Sequence, residues 1–179
     1  MKTHTVTPKN KEENDMVMVK RSDKVAFYGV TKDGTTTYHR MKQFTEISQS
    51  KNPVEYSRQY VDEDFEESDV IGYAPTVSVA LDQHTDNPVH DDIAEIFDKE
   101  MTGDAAVRDI VIVDLTKAAT GKAGHFAARK RKFSVVPGDE GSDTDHYGYS
   151  AEFKSKSSPI EGTATSTDGW MTCTFTEAE

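Results

Sequence analysis

Several stretches of this chain carry residue types that do chemistry in other proteins, and their spacing decides what they can do here. Residues 116–122 end in Gly121 and Lys122. A loop that cradles phosphate with its backbone N–H groups needs Gly where Thr116 stands and Ser or Thr where Ala123 stands. Asp62, Glu63, Asp64 and Glu66 begin like a calcium loop. Such a loop needs Gly at its sixth position, where this chain has Glu67, and a bidentate Glu at its twelfth, where it has Tyr73. Residues 139–150 fail in the same way, with Thr144 in sixth place. His84, Asp86, His90 and Asp91 offer the right donor types for a metal. His84 falls in a turn and His90 in the first turn of a helix, so the spacing does not make them converge. Solvated helix-start residues are the simpler reading. His125 and His146 have no metal- or catalysis-type residue at a diagnostic sequence spacing, and no nucleophile elbow or zinc-protease helix occurs. Cys173 is the lone cysteine and has no partner for an internal disulfide. Met171, Cys173 and Phe175 alternate onto one strand face, which predicts a buried, reduced thiol. The expectation is a protein with no catalytic residues, no cofactor and no metal.

The one dense set of cations is Arg129-Lys130-Arg131-Lys132. Alternation along a strand sends Arg129 and Arg131 to one side and the two lysines to the other. A nucleic-acid patch is one reading, and a solvated strand end is another. A third is complementarity, in which the stripe meets the acidic run of residues 62–67 on a neighbouring copy and sets register more than affinity. The whole chain has 21 Lys and Arg against 32 Asp and Glu, a formal net charge of −11. That balance works against tight binding of phosphate backbones and against an anionic membrane surface. No apolar run approaches the ~20 residues that cross a bilayer. The start, MKTHTVTPKNKEEND, lacks a signal-peptide core. Synthesis in the cytoplasm is the expectation.

Strands must position these groups, because period-two alternation runs through nearly the whole chain. The exception lies within residues 72–114, which read as strand, amphipathic helix, strand. Asn87 can cap the helix, and Pro88 suits its first position, where a missing N–H costs nothing. Asp91 and Asp92 meet the positive end of the helix dipole. Val89, Ile93, Ile96, Phe97 and Met101 form one apolar stripe and Gly103 supplies a stop, which predicts a helix over residues 88–101. Before it, Val77, Val79 and Leu81 alternate as a half-buried strand does. After it, residues 110–113 are continuously apolar, as in a strand covered on both faces. Further strands are expected over residues 25–30, 38–44, 124–136, 147–153, 160–167 and 170–176. Turns fall at Asp33-Gly34 and Asp168-Gly169, and a loop at residues 137–143. About seven to nine strands and one helix make a mainly β chain, a β-sandwich or partly closed barrel with one flanking α-helix.

Two stretches do not fit a core. Residues 1–21 are polar and mixed in charge, apart from Met16, Val17, Met18 and Val19, and read as an N-terminal arm before one domain of residues 22–179. Residues 45–69 are long for a connection between strands. They set Tyr56, Tyr60 and Phe65 among Asp62, Glu63, Asp64 and Glu66. Hydrophobic content of 35% and mean hydropathy of −0.70 are low for a self-contained domain. Arms and loops that find cover on other copies would account for that.

The order Tyr-Ser-Arg-x-Tyr-Val-Asp-Glu at residues 56–63, Gly-Tyr-x-Pro-x-Val-x-Val at 72–79 and Asn-Pro-Val-His-Asp-Asp-Ile at 87–93 carries a resemblance. It resembles the major tail proteins, or tail tube proteins, of long non-contractile-tailed phages of Gram-positive bacteria. Residues 105–114 extend the match, and weaker similarity through 126–136 and 150–162 brings it to roughly residues 25–165. The resemblance implies a phage tail tube-like β-sandwich with a flanking helix, a long loop and terminal arms. It implies a structural virion protein of the tail, not an enzyme, assembled as hexameric rings stacked into a channel for DNA ejection. Its partners would be itself and the tape measure, tail terminator and baseplate proteins. DNA would pass an acidic lumen without specific binding, and no membrane is involved. In that family a long loop between early strands reaches the next subunit or ring, and residues 45–69 stand where that loop would be. This puts Tyr56, Tyr60 and Phe65 at a subunit interface, unless they pack back on their own domain. Asp62, Glu63, Asp64 and Glu66 would then face Arg129 and Arg131 of a neighbour. Two other classes stay open at this point. One is a monomeric β-sandwich binding or adhesion module with Tyr147, Tyr149 and Trp170 as an exposed aromatic strip. The other is a metal-dependent hydrolase built on residues 84–92.

Overall fold

The computed structural model describes residues 17–141 and 144–178. Its architecture follows from one strand, β8 (Phe126–Glu140), whose 15 residues serve two neighbours along a single edge. The first half of that edge pairs with β10 (Ile160–Thr165), with Gly162 opposite Ala128. The second half pairs with β9 (Gly148–Ser155), with Phe153 opposite Val135. The other edge pairs with β7 (Val107–Ala118). From β7 the sheet continues through β1 (Lys24–Lys32), β2 (Thr35–Arg40) and β11 (Thr172–Glu177) to β10, closing a barrel on β8. From β9 it continues through β6 (Thr76–Asp82) and ends at β3 (Phe44–Ser50). The chain is therefore a barrel with an open sheet continuing from it, as a partly closed barrel requires.

Small residues make the closure possible. A side chain on Gly162 would overlap the Thr176 carbonyl oxygen and the Phe175 ring. Inside the barrel lie Val25, Phe27, Val111, Val113, Ala128, Ala164 and Cys173. Trp170 covers them, with ring centroids 6.1 Å from Phe27 and 5.5 Å from Phe126. Burial pushes the Cys173 thiol up to about 12, so the group stays protonated and packs as a hydrophobe.

Alternate residues of the shared strands build a second core outside the barrel. Tyr28, Val30, Ile110, Phe133 and Val135 meet Val77, Val79, Leu81, Tyr149 and Phe153 there. This is why residues 110–113 are continuously apolar: Ile110 faces the second core, while Val111 and Val113 face the barrel. The helix, α1 (Pro88–Asp98), plugs one end of this core with Val89, Ile93 and Ile96. The Asn87 side chain accepts from the Val89 N–H at 3.1 Å, as the capping argument requires. The helix stops short of the expected residue 101, with Lys99 at its C-terminal cap, and Gly103 instead opens a 3-10 turn (Gly103–Ala106). Asp92 is a buried tie as well as a dipole partner. It accepts from the Tyr28 hydroxyl at 2.7 Å and from Arg108 Nε and Nη2 at 2.7 and 3.1 Å.

Two expectations of the strand pattern need correction. The strand expected over residues 38–44 is two strands, because Gln43 at φ 59° turns the chain between β2 and β3. The loop expected at residues 137–143 is strand as far as Glu140, since Pro137 is accommodated at a register shift against β9. The N-terminal arm falls largely outside the described residues, and residues 17–20 are exposed and irregular before a 3-10 turn (Arg21–Asp23).

Candidate assembly surface

The coreless excursion read at residues 45–69 is a strand followed by a projecting hairpin. β3 lies on the main sheet with Ile47 half-buried against the second core. Asn52, at φ 42°, then turns the chain away, a left-handed conformation that Asn tolerates better than most residues. β4 (Pro53–Arg58) and β5 (Glu67–Tyr73) pair with each other and, among the described residues, with no other strand. The hairpin base is clamped. Asn52 donates to the Ala74 carbonyl at 3.1 Å and to Thr76 Oγ1 at 3.2 Å, and its own carbonyl accepts from the Ala74 N–H at 3.0 Å. Six residues of β4 at ~3.3 Å each carry the tip about 20 Å from the base.

Both hairpin faces meet solvent, yet the hairpin is rich in large apolar groups. Tyr56 and Tyr60 are 49% and 48% exposed and Phe65 is 83% exposed, while Val54, Val70, Ile71 and Tyr73 are exposed too. Tyr56, Tyr60 and Phe65 do not pack back on either core. The Arg58 guanidinium lies 5.4 Å from the Tyr60 ring centroid and donates to the Tyr56 hydroxyl at 3.2 Å. Asp62, Glu63, Asp64 and Glu66 stand exposed at the tip.

The basic stripe divides between the two strand faces as alternation requires. Lys130 turns toward the barrel side, its ammonium 5.1 Å from the Phe175 ring centroid. Arg129 is exposed and Arg131 half-buried on the second-core side, beside Lys51. Burial lowers the Lys51 ammonium below its ordinary value, and repulsion from Arg129 and Arg131 adds to the effect. Burial lowers Arg131 too, again with repulsion from Arg129. Arg131 Nε is buried without an acceptor, and neither arginine has a carboxylate within ion-pair reach among the described residues. One chain does not bring its own acidic tip to these cations.

The other candidates come apart in the structure. Both ring nitrogens of buried His90 are engaged by backbone: Nδ1 accepts from the His84 N–H at 3.1 Å and Nε2 donates to the Lys42 carbonyl at 3.0 Å. Asp86 and Asp91 point to solvent positions, and among the described residues no three His, Cys, Asp or Glu side chains converge. The aromatic strip of a binding module does not form. Tyr149 is buried against Phe97 at 4.9 Å, Trp170 sits on the barrel core, and Tyr147 alone is well exposed. Sequence reasoning missed the hairpin and the Asp92 tie. Asn52-Pro53, a turn-initiating dipeptide, was the available signal for where the hairpin departs.

No protein-family model and no curated protein matches this sequence. Among solved structures the chain is similar to one in the tail of an empty GTA particle, refined helically with C6 symmetry. The TM-score is 0.53 at 11% identity, over 79% of this chain and 97% of that one. The two chains share a fold. A looser likeness, TM-score 0.43 at 8% identity over 90% of this chain and 97% of the other, is to the six-fold symmetrised baseplate of the anti-feeding prophage. Most of the tail chain's length thus has a counterpart here.

Proposed function

We propose that this chain is a structural virion protein, a tail tube subunit that assembles with itself into hexameric rings stacked as a channel for DNA ejection. The β4–β5 hairpin carries the reading. It is a clamped arm with unpaired edges and exposed aromatic residues, built on a tail-protein fold. Its physics is that of an unfinished surface, because large apolar patches and free strand edges are stable only when something covers them. The mechanism is geometric. β3 presents an edge unpaired among the described residues, on which a neighbouring copy can continue the sheet, and a head-to-tail contact repeated about an axis closes a ring. Tyr56, Tyr60 and Phe65 anchor the arm, since buried aromatics carry interface energy disproportionately. An acidic lumen keeps DNA mobile by repelling its phosphates. The resemblance to tail tube proteins of long non-contractile-tailed phages extends the reading to tape measure, tail terminator and baseplate partners and to a place in the virion tail. No helix among the described residues is long and apolar enough to cross a membrane.

Native mass spectrometry tests the ring. The expected species is six times the 19.9 kDa subunit. A mass ladder that stops at the monomer at every concentration contradicts the reading.

A further inference from the structure

The second core is plugged at one end by α1 and open at the other. At the open end Ala26, Met41, Ile47, Val77, Ile112 and Phe153 line an apolar hollow of about 240 Å³. Arg21 and Lys24 stand on its rim. Across Ile110 and Ile112 the hollow continues into a shallower trough beside Lys51, Arg129 and Arg131. Lys24 has a carboxylate, Asp114, at 3.8 Å. Lys51, Arg129 and Arg131 have none within ion-pair reach among the described residues, although the chain holds 32 acids. An apolar floor bordered by unbalanced cations suits an apolar side chain flanked by carboxylates.

The hairpin tip is that arrangement. Phe65 stands exposed between Asp64 and Glu66, with Asp62 and Glu63 beside it. A chain cannot use its own tip. The hairpin departs at Asn52, next to Lys51 on the trough wall, and carries the tip about 20 Å away. The occupant is a second copy.

We propose that the open end of the second core receives the hairpin tip of another copy. Phe65 enters the hollow, and Asp62, Glu63, Asp64 and Glu66 face Lys51, Arg129 and Arg131. The inference deepens the self-assembly reading and rests on it. Each copy offers one tip and one trough, and the two surfaces are not alike, so the contact propagates from copy to copy instead of stopping at a two-fold dimer. The orphaned Arg131 Nε–H gains an acceptor on docking.

Sedimentation velocity on the full chain tests this with a charge swap. R129E/R131E and D62K/D64K/E66K should each lower association by at least tenfold, a loss in the range of close charge pairs across an interface. Combining the two sets should restore most of it, and F65S should weaken association without altering the salt dependence. Circular dichroism checks that each variant folds, and K51E/R129E replaces the first pair if Arg131 proves necessary for folding. Rings or tubes that ignore both reversals overturn the trough contact and leave the tube reading standing. Small oligomers that obey the swap but never close uphold the contact and sink the tube. Rescue by reversing Glu12, Glu13 and Asp15 instead of the tip gives the trough to the N-terminal segment and overturns the proposal. A monomer at all concentrations overturns both.

Discussion

Asp92 occupies a helix-start position where an acid is expected for the dipole, yet its weight lies in two contacts remote in sequence, to Tyr28 and Arg108. A buried carboxylate bonded to a guanidinium is costly to break from one side, because the partner charge stays desolvated. Asp92→Ala is expected to cost about 3–5 kcal/mol in chemical denaturation, and a loss below ~1 kcal/mol would show that water reaches Arg108. Burial holds His90 below the ordinary imidazole value of about 6.5. The fold therefore prefers the neutral ring, and in the unfolded chain His90 binds its proton at higher pH. Its contribution is complete above the unfolded value and is lost as pH falls below it. The thermal midpoint should drop between pH 7 and pH 5, and His90→Gln should flatten part of that slope. Half-buried His39, also lowered by burial, accounts for another part. Cys173 was legible as buried because alternation names its face. The Asp92 tie was not, because nothing local in a sequence marks partners 64 and 16 residues away.

At the scale of elements, period and caps were enough to find α1 and most strands of the main sheet, since each buries one face and shows it in its pattern. The β4–β5 hairpin escaped for the same reason in reverse: with solvent on both faces, neither periodicity has a core to record. The long span of β8 escaped because Pro137 and Gly138 look like a break, and only pairing with β9 holds them extended. The hairpin's direction depends on Asn52, whose side chain ties the outgoing strand to Ala74 and Thr76 at its return. Asn52→Ala should speed hydrogen exchange through residues 53–73 by about tenfold or more, the effect of losing ~1.4 kcal/mol of local protection. The barrel amides and the global denaturation midpoint should stay nearly unchanged. Equal acceleration throughout the chain would mean that the clamp belongs to the global fold.

For the whole molecule, closure and incompleteness sit side by side. The barrel joins its own edges through β10 and β8, while β3 and both hairpin strands have an edge that pairs with no strand among the described residues. Exposed apolar groups concentrate on an arm that carries aromatics outward, and an apolar hollow lies at a mouth that α1 does not fill. Strand edges and apolar surface of this kind lead to association, and unlike contact surfaces give open or ring-shaped products. Imaging the purified, concentrated full chain by negative-stain electron microscopy tests that claim most directly. The expected images are hollow cylinders of uniform width whose end views show six-fold rings. Separate, featureless particles of single-subunit size at every concentration would contradict it.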